Sequence, residues 1–475
     1  MNVRPVAYPE CGDRATPSLG VVPTHWLPVP LGALVRWRNT RRCPGLPLLS
    51  VYREYGVIAR SSRDDNHNPE GSDLSAYKVV SPGDLVVNKM KAWQGSLGVS
   101  RYHGIVSPAY IVCDVTPEVD GWYLHHLLRS RPYIDLYNRL SVGIRLGQWD
   151  LRWEDLKRVA VHLPPAEEQR AIVAFVESVN RAVNSLIRAK RRQIELLNEQ
   201  KRGIIARAVT RGLDPSARLK PSGIQWVGDI PEHWEVAALG VRYWIQLGKM
   251  LDAKRITGDA LIPYLRNADV QWDRINCSEL PMMDIDEQEY DRYLVRPGDL
   301  LVCEGGDVGR AAFWDGSLTQ CGYQKALHRL RPRTTASECP RFLFYVMFAA
   351  SKLGVFVADG NENTIAHLTA EKLRRHRFGF PPVEEQQRIA HVLDVEMASL
   401  SMAAESMAKE IELLREYRTR LIADVVTGKL DVRGVELPDL GDAGLADDVC
   451  DIDSGPDPDD GEPSDTEEVE ADAED

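Results

Sequence analysis

The sequence predicts an α/β fold built twice: two globular α/β parts separated by two long helices, with an acidic tail behind them. Three observations predict it. The block Leu163-Pro164-Pro165-Ala166-Glu167-Glu168-Gln169 recurs 217 positions later as Phe380-Pro381-Pro382-Val383-Glu384-Glu385-Gln386. Each block opens a run of forty-odd residues whose apolar positions fall three and four apart. About 140 residues of short strand-like runs, punctuated by turn residues, precede each block.

The repeat extends beyond the block. The same offset carries Ile194-Glu195-Leu196-Leu197 onto Ile411-Glu412-Leu413-Leu414, and Val209-Thr210 onto Val426-Thr427. Upstream, Pro23-Thr24-His25-Trp26 matches Pro231-Glu232-His233-Trp234 at an offset of 208, and Pro82-Gly83-Asp84-Leu85 matches Pro297-Gly298-Asp299-Leu300 at 215. The expected division is a first globular part over 1–163, a helical spacer over 164–215, a second globular part over 216–380, a second spacer over 381–434, and a tail over 435–475.

Within each globular part, Lys78-Val79-Val80 and Leu85-Val86-Val87 flank the first Pro-Gly-Asp and read as strand, turn, strand; Tyr293-Leu294-Val295 and Leu300-Leu301-Val302 repeat the pattern. Short helices are expected at 121–129 and 341–350. Pro164-Pro165 sets the start of the first long helix, where Glu167 and Glu168 suit the positive end of the helix dipole. Ile172, Val176, Val179, Val183 and Leu186 begin its apolar stripe; Ile389, Leu393, Leu400, Met407 and Ile411 form that of the second. No Pro or Gly interrupts either run until Gly203 and Gly428. Two such stripes in one chain can cover each other as a coiled coil, and a whole globular part between them leaves room for an antiparallel pairing.

Composition bounds the function. The chain has 475 residues, 44% of them apolar and 27% charged, as in globular proteins. The net charge of −12 is concentrated at one end: residues 436–475 hold 18 Asp and Glu and no Lys or Arg. Without them, 58 basic residues face 52 acidic ones, a net charge of +6. The tail is too poor in large apolar residues to offset the entropy of ordering and is expected to be disordered, serving solubility. Eight cysteines lie scattered with no Cys-x-x-Cys pair, as suits free thiols in a reducing cytoplasm. No apolar run approaches the ~18 residues of a membrane span, and residues 1–20 lack a signal-peptide pattern.

Motifs for chemistry are missing. There is no GxxxxGK[ST] phosphate loop, no GxGxxG after a strand, no Asn-Pro-Pro-aromatic, no HExxH and no His/Cys cluster at metal spacing. Glu167-Glu168 and Glu384-Glu385 are expected to cap helices, and the Pro-x-His-Trp turns to anchor the chain. These patterns point to a binder with no cofactor.

The doubled Pro-Pro-x-Glu-Glu-Gln helix start, the two Pro-x-His-Trp turns, and the helix ends Thr210-Arg211-Gly212-Leu213-Asp214 and Thr427-Gly428-Lys429-Leu430-Asp431 together resemble the specificity subunits of type I restriction-modification systems. The likeness runs from about residue 18 to 434; the acidic tail lies outside it. It implies two target recognition domains that grip two unlike half-sites of double-stranded DNA. The helical spacers are implied to pair antiparallel and to dock DNA methyltransferase subunits. Methylation would fall to those partners, and ATP-driven translocation and cleavage to restriction subunits. The competing expectation is a non-catalytic coiled-coil scaffold joining two binding modules.

Base reading needs forked donors and acceptors, and phosphate contacts need cations and small polar groups. In the first part, Lys89, Lys91, Trp93 and Gln94 lie in one Gly-flanked loop, and Arg145 and Gln148 in a second, just before the helix. In the second part, residues 304–310, with Arg310, take the place of the first loop, and residues 361–367, with Asn363 and His367, that of the second. Arg266, Asn267, Tyr323 and Lys325 complete the DNA-binding candidates.

Overall fold

The structure is a computed structural model; it describes residues 5–16, 20–41, 43, 45–53, 55–62, 74–143, 149–250, 258–357 and 367–437. Residues 438–475 of the acidic tail lie outside the described residues. The chain is a mixture of helices and strands that divides into two compact units. Unit 1 comprises residues 1–189 and 410–475, and unit 2 residues 190–409. The linear division expected from the repeat is thus cut across: each unit takes one end of each long helix. Those helices run over Ala166–Arg211 and Val383–Val426.

Unit 1 is built on a four-stranded antiparallel sheet in the order Val35–Arg38, Ile111–Val115, Leu85–Val87, Leu97–Val99. The Leu-Val-Val run of the inner strand Leu85–Val87 is buried on both faces, as are Ile111, Val112 and Cys113 beside it. Unit 2 repeats the order with Tyr243–Leu247, Leu327–Pro332, Leu300–Cys303 and Ala311–Phe313. In each unit the strand before the long helix pairs with the one after the His-Trp turn: Ala160–Leu163 with Leu27–Pro30, and Arg377–Phe380 with Glu235–Ala238.

The Pro-Gly-Asp turns are tied by their aspartates. Gly83 and Gly298 have φ of 93° and 89°, a region open to glycine at little cost. Asp84 accepts from the Ser81 N–H and the Arg38 guanidinium. Asp299 accepts from the Arg296 N–H at 2.7 Å and from Arg331 Nε and Nη2 at 2.7 and 2.6 Å. The strand-turn-strand reading needs two corrections. Lys78–Val80 is a strand but pairs with Gly104–Val106, so the turn joins two different sheets. In the second copy Tyr290–Tyr293 is a helical turn and Leu294 makes only an isolated bridge to Gly322. Periodicity over three residues cannot distinguish these outcomes. The expected short helices are present as Gly121–Leu128 and Pro340–Lys352.

The unit 1 core joins Ile172, Phe175 and Val176, near the start of the first long helix, to Val425 and Val426 at the end of the second. Arg418 there donates to Asn184 at 2.7 Å. The unit 2 core joins Ile205, Ala208 and Val209 to Ile389, Ala390 and Leu393, with Lys201 donating to Ser401 at 2.9 Å. In each unit, therefore, the end of one long helix lies with the start of the other. Unit 1 also closes on itself through the chain ends. Val6 and Asp431 form an antiparallel bridge, Asp431 N–H donating to the Val6 carbonyl at 2.7 Å, and Val432 is buried in the core.

Candidate nucleic-acid interface

A clasp in each unit holds the globular part to the following helix. Glu168 is buried and accepts from Trp26 Nε1 at 2.9 Å and from the Tyr8 hydroxyl, and it pairs with His25 Nε2 at 2.8 Å. Glu385 does the same in unit 2, accepting from Trp234 Nε1 at 3.2 Å and pairing with His233 at 2.7 Å. Beside it the glutamine reaches back to another helix start. Gln169 accepts from the Asp120 N–H at 2.7 Å and donates to the Pro164 carbonyl at 2.9 Å. Gln386 accepts from the Cys339 N–H at 2.8 Å and donates to Pro381 at 2.9 Å.

Both glutamate pairs lie in the first turn of their helices; the second of each pair is also the acceptor for an indole from the His-Trp turn, while Glu167 and Glu384 are exposed. The anchoring role of the turns is what the geometry displays. Glycine is needed where the helix ends meet the clasps: a Cβ on Gly428 would stand 2.5 Å from Pro23 Cδ, and one on Gly212 3.1 Å from Glu385 Oε1.

With the scaffold fixed, the candidate loops fall at matching places. In unit 1 the loop follows strand Leu85–Val87. The Asn88 N–H reaches the Ser96 carbonyl, a single helical turn covers Ala92–Gln94, and Gly95 ends it at φ 97°. The Trp93 indole donates to the Met90 carbonyl at 2.9 Å and lies 5.2 Å from the Trp149 ring. Lys89 pairs with Asp150 at 3.2 Å, and its carbonyl accepts from the Leu151 N–H at 2.9 Å. The two predicted loop regions of this part therefore meet through Lys89 and Trp93, with Lys91 and Gln94 partly exposed on the same turn. Arg145 and Gln148 lie outside the described residues.

In unit 2 the loop follows Leu300–Cys303. Asn267 braces it, donating to the Gly305 carbonyl at 3.1 Å and accepting from Arg310 Nη2 at its Oδ1 (2.8 Å) and carbonyl (3.0 Å). The Glu304 carbonyl accepts from the Leu368 N–H at 2.8 Å, and the Glu304 N–H donates to Ala326 at 3.0 Å. Burial pushes the Glu304 carboxyl above its ordinary value, and the exposed Lys325 and His367 beside this loop oppose that shift.

One candidate serves the scaffold instead, and a second, Arg266, is exposed but paired. Tyr323 is fully buried, its hydroxyl donating to the Arg292 carbonyl at 3.1 Å, so this DNA-binding candidate presents nothing to a ligand. Arg266 is held by both oxygens of Asp269, at 2.9 and 2.8 Å. Asn363 lies outside the described residues. The sequence reading passed over Glu304, although the Pro-Gly-Asp-Leu match aligns it with Lys89. Among the described residues no group of His, Cys, Asp and Glu could hold a metal ion, and no helix is long and apolar enough to cross a membrane.

The chain is similar to known proteins. Residues 231–406 match the family described as the type I restriction modification DNA specificity domain. The chain is 21% identical over 379 residues to the putative type I restriction enzyme MjaX specificity subunit of Methanocaldococcus jannaschii, covering 76% of this chain and 81% of that protein. It is 19% identical over 447 residues to the EcoKI specificity subunit of Escherichia coli K12, covering 89% and 93%. A solved chain from work on complex assembly and conformational transition of the type I R-M system superposes with a TM-score of 0.64 at 21% identity, over 86% of this chain and 99% of that one. The chain is similar to specificity subunits of type I restriction-modification systems, and residues 231–406 match their DNA specificity domain.

Proposed function

We propose that the chain is the non-catalytic DNA-reading subunit of a type I restriction-modification complex in the cytoplasm, recognising an asymmetric bipartite site. The observation that carries this is the contrast between clasp and loop. Glu168 and Glu385, Gln169 and Gln386, and Trp26 and Trp234 repeat contact for contact. The loops after Leu85–Val87 and Leu300–Cys303 share their place but not their residues. A common frame with unlike tips suits two unlike half-sites.

Lys89, Lys91, Trp93, Gln94, Arg145 and Gln148 read one half-site, and Asn267, Arg310, Lys325, Asn363 and His367 the other. The two domains are a tandem repeat, and the long helices pair as an antiparallel coiled coil, a reading supported by Asn184 with Arg418 and by Lys201 with Ser401. Methyltransferase subunits dock on the helices, and restriction subunits complete the complex. Methylome sequencing of a host carrying this gene with its methyltransferase is expected to reveal a split adenine- or cytosine-modified motif that vanishes on deletion. A host with an unsplit motif, or none, would refute the reading and favour the scaffold.

Helix length sets the gap between half-sites. Seven residues inserted into both long helices add ~10 Å, which widens the unmodified gap by about three base pairs at 3.4 Å each. The modified motif read from the variant's methylome measures this. A gap of unchanged length would refute the spacing role.

A further inference from the structure

The two recognition loops carry opposite charge at one equivalent position. Pro82-Gly83-Asp84-Leu85 and Pro297-Gly298-Asp299-Leu300 align Lys89 with Glu304 without a gap. The backbones agree: the Lys89 carbonyl accepts from Leu151 N–H and the Glu304 carbonyl from Leu368 N–H, and Leu151 and Leu368 are themselves 217 residues apart. The neighbouring residue is reversed as well. Asp150 pairs with Lys89, and at the matching place His367 faces Glu304.

Resting on the DNA-reading function above, we propose that positions 89 and 304 are base-reading positions of opposite polarity. Lys89 donates to a guanine in one half-site, and Glu304 accepts from the exocyclic amino group of a cytosine in the other. A carboxylate has no use at a phosphate, which it repels, whereas the major-groove edge of cytosine offers the N4 donor that a carboxylate can accept. Guanine O6 and N7 offer the acceptors that suit a lysine. Glu304 is free for the task. Among the described residues its side chain makes no hydrogen bond or ion pair, although it is only partly exposed and burial raises its pKa. Asn267 and Arg310 fix the backbone that carries it.

The test uses the full chain with its methyltransferase subunits. Dissociation constants are measured for a duplex carrying the determined motif, for single base-pair replacements across each half-site, and for an unrelated duplex. Without any motif preference in the unaltered complex, the DNA-reading function itself fails, before any variant is considered. Given that preference, Glu304→Ala is expected to bind the motif about tenfold more weakly and to lose discrimination at one C·G pair. Its binding to unrelated DNA is expected to hold or tighten, because a negative charge has gone. Glu304→Lys is expected to prefer guanine at that pair, and Lys89→Ala to lose discrimination at one pair of the other half-site. Glu304→Gln, whose amide accepts through Oε1 and donates through Nε2, is expected to admit adenine at that position and so lose the exclusive preference for cytosine. Motif and unrelated duplexes weakened alike by Glu304→Ala, with base preferences intact in Glu304→Gln, would overturn the assignment.

Discussion

Trp26→Ala is expected to cost unit 1 about 3–5 kcal/mol, the range for deleting a large buried aromatic side chain. Trp26 is 2% exposed and sits in the largest core of that unit. Its ring meets Tyr123 and Tyr8 edge-on, at centroid distances of 6.3 and 6.0 Å. Its indole N–H is one of the donors that satisfy Glu168, so the substitution both opens a cavity and leaves a buried carboxylate short of a partner. Gly428 also packs on this ring, and the end of the second long helix loosens with it. Hydrogen exchange resolved by residue checks the prediction. Protection should fall across unit 1, including residues 421–432, and hold in the middle of unit 2. A loss under about 1 kcal/mol would mean that the clasp merely follows the fold.

Asp299→Ala is expected to cost unit 2 about 3–5 kcal/mol, because it strands a charge that folding has drawn out of water. Asp299 is 2% exposed and holds Arg331 through both carboxylate oxygens while accepting the N–H of its own turn. Arg331 lies on Leu327–Pro332, an inner strand of the sheet, and among the described residues it forms no ion pair with a second carboxylate. The equivalent Asp84→Ala should cost less. Arg38 keeps Asp114 at 2.7 Å and lies on an edge strand. Denaturant midpoints of the two variants, followed by probes in each unit, make the comparison. Equal losses would refute the account of Arg331 as the stranded partner.

Much of this was legible in the residues, and the exceptions have physical causes. The repeated Pro-Pro-x-Glu-Glu-Gln located both long helices, because proline fixes where a helix can begin and an unbroken apolar stripe shows that it continues. The same blocks did not reveal that Glu168 receives Trp26, because the partners stand 142 residues apart and the pairing exists only once the strands are in place. Short strands misled for a related reason. Lys78–Val80 and Leu85–Val87 satisfy one local pattern yet join different sheets, a choice made by distant neighbours. Tyr323 looked like a ligand residue because it stands beside Gln324 and Lys325, but it falls in a two-residue strand at the side turned into the core. Glu304 falls in the loop 304–310 from which the sequence singles out only Arg310; the backbone equivalence with Lys89 is what makes the sign of Glu304 informative.

The bridge between Val6 and Asp431 has a consequence for the order of synthesis. Unit 2 is one contiguous stretch and has all its residues once position 409 has been made. Unit 1 begins first yet must wait, since Val425, Val426 and Val432 of its core are among the last of the described residues to leave the ribosome. The first-made half of the polypeptide is therefore the last to mature, and a message truncated before codon 425 would yield one finished half and one that cannot close.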